Sequence, residues 1–147
     1  MSIFGAMDVS ATGMTAQQLR MDTISENIAN VNTTRGADGK PYRRKTVLFE
    51  EKSYPTFSES LSMANRHSIG KGVKASRILE DNSQGSMVYD PGHPDADEDG
   101  YVVYPNVNTV TEMTNMIDAT RSFEANVTVL NSTKGMALKA LEIGSGV

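Results

Sequence analysis

The sequence has no cysteine among its 147 residues. The chain therefore has no disulfide framework, no thiolate nucleophile and no thiolate ligand for a metal. It also has no run approaching the roughly 18 apolar residues of a membrane span, and its start shows neither the basic nor the apolar region of a cleavable signal peptide. We expect no lipid-spanning segment, and either a cytoplasmic protein or one exported without a cleaved signal peptide.

The sequence also has no excess of basic residues, and it contains no recognisable set of catalytic residues. The net charge of -4 and the pI near 5.1 argue against a protein whose main task is to bind nucleic acid or anionic lipid. There is no Walker loop, no G-x-G-x-x-G and no H-E-x-x-H. The two histidines, His67 and His93, lack the spacing of a zinc site or a catalytic triad. We expect no catalytic residue, no cofactor and no metal.

Two charged stretches have alternative interpretations. Asp95, Asp97 and Asp99 with Gly100 resemble the opening of a calcium loop, but Asn106 stands where the bidentate Glu should be, so an acidic solvated turn is the better interpretation. The second stretch is basic and lies on a predicted strand, where alternate side chains point to opposite faces, so a solvated or salt-bridged strand is favoured over a nucleic-acid site. It comprises Lys40, Arg43, Arg44 and Lys45.

What the sequence does contain is apolar residues at seven-residue spacing near both ends, which predicts two long helices. In the second, over residues 109 to 143, one row is Met116, Phe123, Leu130 and Ala137, and a companion row is Met113, Val127 and Leu141. In the first, over about the first thirty residues, the row is Met7, Met14, Met21 and Ile28, and its companions are Ile24 and Val31. We predict Ser10 or Thr12 as the N-cap of the first helix. The asparagines at 27, 30 and 32 and Gly36 are predicted to end it.

The length of the second helix points to a partner. At about 1.5 Å per residue it would be roughly 50 Å long, whereas a compact globule of this chain length is about 40 Å across. We expect the excess to be covered by another subunit, although a helical pair closed within one chain is the alternative. A bend at Gly135, where glycine costs a helix about 1 kcal/mol relative to alanine, would shorten it.

The middle of the chain has strand patterns. Strands are predicted at residues 42 to 50, 72 to 80, 87 to 89 and 101 to 104, with a loop or mobile insertion at 52 to 71. The predicted fold is α+β: long N- and C-terminal helices paired as a coiled-coil-like unit, with a small β-rich module inserted between them. The predicted parts are residues 1 to 36, 37 to 108 and 109 to 147.

Three motifs resemble those of one protein family. Residues 25 to 33, SENIANVNT, are similar to the S-x-N-[IL]-A-N-x-x-[ST] signature of the bacterial flagellar rod and hook proteins. Residues 89 to 108 and 119 to 126 resemble its proximal rod members, and together the similarity covers nearly the whole chain. The motif residues are Asn27, Ala29, Asn30, Thr33, Pro105, Asn106, Arg121, Glu124 and Asn126.

The resemblance implies a structural subunit that polymerises helically into the rod, the axial drive shaft that carries motor torque through the periplasm. It implies passage through the flagellar type III export apparatus, terminal helices in the inner tube, and contacts with itself, other rod subunits and the basal-body ring or export-gate base. A monomeric helical binding or adaptor module that uses the same apolar rows is the alternative. On the rod hypothesis the free monomer has frayed terminal helices that fold on assembly, and Asn27, Asn30 and Asn126 form helix-end or interhelical hydrogen bonds.

Overall fold

The computed structural model describes residues 3–36, 38–52 and 72–144. Within them a long helix stands at each end and a small antiparallel β module lies between the two in sequence, so the predicted α+β class is confirmed. In chain order the elements are α1 (Ile3–Ala29), β1 (Lys45–Glu51), β2 (Val73–Glu80), β3 (Ser86–Tyr89), β4 (Tyr101–Tyr104) and α2 (Thr109–Gly144).

The predicted N-cap of α1 is wrong. Ser10 and Thr12 lie inside the helix, where their hydroxyls donate to the carbonyl oxygens of Ala6 at 3.1 Å and Val9 at 2.7 Å. A Ser or Thr hydroxyl inside a helix can donate its hydrogen bond to a carbonyl oxygen of the preceding turn. Such residues therefore do not have to mark the start of a helix. The helix begins about two turns earlier, at Ile3.

The end of α1 lies where the asparagine-rich stretch predicts it. The Asn30 backbone N–H and side-chain amide both donate to the Glu26 carbonyl oxygen, at 3.1 and 2.9 Å. Thr33 donates its backbone N–H to the Asn30 carbonyl and its hydroxyl to Asn30 Oδ1. These bonds satisfy carbonyl oxygens at the end of the helix, so the chain can leave the helical conformation and continue toward β1.

The second helix has a defined start and no break. Asn108 caps it, because its Oδ1 accepts the Thr111 N–H at 3.1 Å. The helix runs through Gly135 to Gly144, 36 residues in all. Neither it nor any other helix in the described ranges has a stretch long and apolar enough to cross a bilayer.

The strands form two two-stranded sheets, β1 with β2 and β3 with β4. The hydrogen bonds at the two ends of the first sheet, from Lys52 N–H to the Gly72 carbonyl and from Asp81 N–H to the Arg44 carbonyl, make that pair antiparallel. In the second, Tyr89 lies opposite Tyr101 and their rings make an edge contact at 5.3 Å. The loop predicted at 52 to 71 lies, beyond Lys52, outside the described residues.

The chain divides into two compact units, and both long helices contribute to each. The first contains Met1–Gln18, Phe49–Ser76 and Thr120–Val147, and its buried residues include Ser10, Ala16 and Thr133. The second contains Leu19–Leu48 and Arg77–Ala119. Its buried residues are Thr23, Ile24, Asn27, Val102, Pro105, Glu112 and Ala119. Small and polar side chains therefore dominate both interiors.

Candidate assembly interface

The apolar rows predicted to form the interface are partly buried within the chain. The half-buried members are Met7, Met14, Met21, Ile28, Met116, Phe123, Val127, Leu130 and Ala137, and Ile24 is fully buried. Met113 and Leu141 differ, because 55% and 70% of their surfaces are exposed. The companion row on α2 is therefore the less covered of the two.

A row of small and polar residues on α2 is more buried than either predicted row. Glu112, Ala119 and Thr133 are buried and Asn126 is half-buried, and these four residues are seven apart. At Gly13 of α1 an added Cβ would lie 2.9 Å from Asn126 Oδ1, so the two helices approach closely there. Apolar periodicity could not identify this row because its members are not apolar. A search for small residues at the same spacing would have found part of it.

The polar junction, which we define as Asn27, Tyr42, Arg44, Lys45 and Glu112, is built on one side-chain amide in the second unit. Asn27 Nδ2 donates to the Lys45 carbonyl at 2.8 Å and to Glu112 Oε2 at 2.9 Å. Its Oδ1 accepts the Lys45 N–H and the Tyr42 hydroxyl, both at 2.9 Å. The amide thus pairs with both backbone groups of Lys45 as a neighbouring strand would, and links the end of α1 to β1 and α2.

The charged part of the polar junction is an ion pair. Arg44 Nε donates to Glu112 Oε1 at 2.8 Å, Nη2 of the same guanidinium also lies 2.8 Å from Oε1, and only 1% of the Glu112 side chain is exposed. Lys45 pairs with Glu26 at 2.6 Å and lies over the Tyr42 ring. The salt-bridged interpretation of the basic strand is therefore confirmed at Arg44 and Lys45. Burial, with Glu26 and Glu112 nearby, raises the pKa of Tyr42 to about 12.

A second asparagine ties the turn before α2 to the same strand. Asn106 Oδ1 accepts the Arg44 N–H at 2.9 Å. Its Nδ2 donates to the Asp81 carbonyl at 3.0 Å and to Ser83 Oγ at 2.8 Å. The Asp81 carboxylate accepts the Ser83 N–H, which lowers the pKa of Asp81.

The structure brings together some of the predicted motif residues. Asn27, Asn30, Thr33 and Asn106 all act at the ends of the helices in the second unit, and Pro105 is buried beside them in sequence. Ala29, Arg121 and Glu124 are exposed. Asn126 instead donates to the Ser122 carbonyl at 2.8 Å, within α2. The predicted role in helix-end and interhelical bonds is confirmed for Asn27 and, at the helix end, for Asn30.

Exposed apolar side chains that sequence analysis missed lie on α2. Three are again seven apart, Val129, Met136 and Ile143, and we call them the C-terminal apolar row. Met136 is 61% exposed and Ile143 is 84% exposed. Nearer the start of the helix, Val110 and Ile117 are exposed together with Met113. A search for the a and d positions of a seven-residue repeat selects only the rows that face the rest of the chain. These positions lie outside those rows and are therefore not found.

The acidic turn before β4 does not form a metal cluster. Asp95 accepts a hydrogen bond from the Thr34 hydroxyl at 2.9 Å and pairs with Arg35 at 3.4 Å. His93 Nδ1 accepts the Asp95 N–H at 3.1 Å. Within the described part of the chain, no group of three His, Asp or Glu side chains is placed to hold a metal ion. Asp95 thus fastens this turn to the segment that follows α1.

Comparison with known proteins agrees with this arrangement of motifs at both chain ends. Residues 7–37 match the family described as flagella basal body rod protein. Residues 98–143 match the family described as flagellar basal body rod FlgEFG protein C-terminal. These two segments carry α1 with the turn that follows it, and β4 with almost all of α2.

Whole-chain relatives extend the match. The chain is 48% identical over 150 residues to flagellar basal-body rod protein FlgC of Bacillus subtilis, an alignment that covers 98% of this chain and 99% of the relative. It is 45% identical to FlgC of Borreliella burgdorferi, over 99% and 100% of the two chains. It is 37% identical to FlgC of Salmonella typhimurium, over 98% and 99%. These relatives are structural rod proteins and not enzymes, and this chain is likewise a structural subunit of the basal-body rod, which assembles with other rod proteins. The chain belongs to the FlgC family of flagellar basal-body rod proteins.

Proposed function

We propose that this rod subunit polymerises helically with other rod subunits through the apolar faces of α1 and α2, and that the resulting shaft transmits torque through the periplasm. The observation that carries the proposal is the exposed C-terminal apolar row, Val129, Met136 and Ile143. Monomeric proteins rarely leave contiguous apolar surface uncovered, so such surface indicates an interface. Fully burying a large apolar side chain contributes about 1.5 to 3 kcal/mol.

We further propose that the two terminal helices form part of an inner tube and that the β module lies outside it. The half-buried rows on both helices support this assignment, because the single chain covers their apolar side chains only in part. In the same proposal the chain passes unfolded through the flagellar type III export apparatus without a cleaved signal peptide. Contacts with the basal-body ring or the export-gate base belong to the same hypothesis.

A matched pair of substitutions on α2 tests the helical interface. Met136→Asp and Asn131→Asp each add one carboxylate at an exposed helix position. We expect both purified proteins to unfold at nearly the same urea concentration as the parent, because both side chains are exposed in the single chain. In cells, Met136→Asp should abolish rod growth and swimming, since a charge would be buried without a partner in the interface. Asn131→Asp should leave rod growth and swimming intact.

The alternative, a monomeric helical adaptor, predicts a different result. An adaptor would remain a single copy when it is mixed with other rod subunits, and sizing by light scattering would show no larger species. Normal flagella in Met136→Asp cells would show that the C-terminal apolar row is not an assembly surface.

A further inference from the structure

A pocket opens beside the polar junction in the second compact unit. Its polar lining comes from three elements: Arg20 and Thr23 on α1, Arg44, Lys45 and Thr46 at β1, and Glu112 and Asn115 on α2. Ile24 and Val47 provide the apolar part of the wall. The wall therefore carries three cationic side chains against the single carboxylate of Glu112, together with hydroxyl and amide groups, and this excess of positive charge suits a carboxylate ligand.

Arg20 is the unusual member of this lining. It is half-buried, and it has neither an ion pair nor a hydrogen bond to its side chain among the described residues. A partly desolvated cation without a counter-ion is unfavourable, and a bound anion would relieve that cost. Arg20 therefore provides the uncompensated positive charge of the pocket.

The other charges around the pocket are already balanced. Arg44 neutralises the buried Glu112, and its Nη1 also donates to Thr46 Oγ1 at 3.2 Å. A guanidinium has five N–H donors, so Arg44 keeps donors for a further acceptor. The ammonium of Lys45 forms an ion pair with Glu26. An incoming carboxylate would thus meet Arg20 and the remaining donors of Arg44, while the ion pair with Arg44 neutralises the Glu112 carboxylate in the same wall.

The chain itself carries a matching group. Asp97, Glu98 and Asp99, which we call the acidic segment, are exposed and have no ion pair among the described residues. Their neighbour Asp95 differs, because it is held by Thr34 and Arg35. Copies of a chain with a net charge of -4 repel one another unless their contacts pair opposite charges.

We propose that the Arg20–Arg44 pocket is a carboxylate socket that receives the acidic segment of a second copy of this chain in the rod. The contact is heterologous, since socket and segment are different surfaces, and heterologous contacts generate helical polymers when their rotation does not close a ring. This inference rests on the proposed rod assembly, but it concerns a surface separate from the C-terminal apolar row.

Cross-linking in the cysteine-free chain tests the contact. Two differently tagged copies are expressed together, one with Thr46→Cys at the socket and one with either Glu98→Cys or the exposed control Asp38→Cys. Only a disulfide-linked product that carries both tags is counted, because this excludes a bond within one chain. We expect the Glu98 pair to cross-link about tenfold more than the Asp38 pair in assembled rods, the factor that corresponds to 1.4 kcal/mol of pairing.

A substitution in the socket separates charge recognition from proximity. Adding Arg20→Gln to the Thr46→Cys chain should reduce the Glu98 cross-link about tenfold, whereas Lys40→Gln should not change it. Equal yields from Glu98 and Asp38 in cells that swim would overturn the socket while leaving the rod assembly proposal intact. If Thr46→Cys cross-linked to a different rod protein and not to the second tagged copy, the assignment of the socket to a second copy of this chain would be overturned. Failure of the rod assembly proposal is detected separately by Met136→Asp.

Discussion

The polar junction and the C-terminal apolar row differ in how completely the single chain satisfies them. In the junction the amide of Asn27 makes four hydrogen bonds and the buried Glu112 has an arginine partner. In the row, by contrast, Met136 and Ile143 face solvent. We infer that the junction stabilises the fold of the single subunit, and we propose that the row is buried in the assembly.

This difference predicts where substitutions act. Changes in the junction should alter the free energy of unfolding of the isolated subunit, because they leave buried polar groups without partners. Changes in the C-terminal apolar row should leave that free energy unchanged and affect assembly.

Arg44→Met should have the largest effect on stability. It leaves the Glu112 carboxylate buried without its cation, and breaking a buried pair from one side costs about 3 to 5 kcal/mol. Arg43→Met is the matched control, since Arg43 is exposed and its side chain bonds to Asn82. Urea denaturation followed by circular dichroism measures both proteins. Equal midpoints for the two variants would contradict the structural role of the polar junction.

Asn27→Ala should have an intermediate effect. Removing the amide leaves the Lys45 backbone groups, the Tyr42 hydroxyl and Glu112 Oε2 without one partner each, and we expect a loss of about 1 to 3 kcal/mol. Asn30→Ala removes bonds at a less buried position and should cost about 1 kcal/mol or less. The same urea experiment measures the difference, and a larger loss from Asn30→Ala would reverse the order we infer.

The pH dependence of stability should change only in alkaline solution, with no effect at neutral pH. The pKa of Tyr42 is raised from 10.0 to about 12, so the folded subunit holds the phenol proton more tightly than the unfolded chain does. The stabilisation is complete below pH 10 and decreases as the pH rises toward 12, because the unfolded chain ionises first. Tyr42→Phe should remove this part of the alkaline loss. The measurement is the urea midpoint below pH 10 and near pH 12, and an identical alkaline decrease in the variant would contradict the assignment to Tyr42.

The helices and strands could be predicted from the sequence because periodicity reports them directly. The predicted second helix, 109 to 143, differs from the observed Thr109–Gly144 by one residue, and the predicted strand at 101 to 104 coincides with β4. The N-cap of α1 could not be located, since Ser10 and Thr12 have suitable side chains but bond to the preceding turn.

The polar junction was harder to predict because its contacts are not apolar. Glu112 is a charged helix residue, a type that is usually exposed to solvent. Its burial is explained only by its pairing with Arg44 and Asn27 in three dimensions. Phe123 and Leu130 were identified by their spacing and are half-buried, but their part in assembly stays a prediction. Val129 and Met136 were missed because they lie outside the rows that the chain covers itself.

We propose that the C-terminal apolar row is covered only in the rod. Since the chain lacks cysteine, Met136→Cys provides a single thiol whose reaction with a maleimide can be followed in the purified subunit and in isolated rods. We expect rapid labelling of Met136→Cys in the free subunit and strong protection in rods, while an Asn131→Cys control is labelled in both. Equally rapid labelling of Met136→Cys in rods and in the free subunit would contradict it.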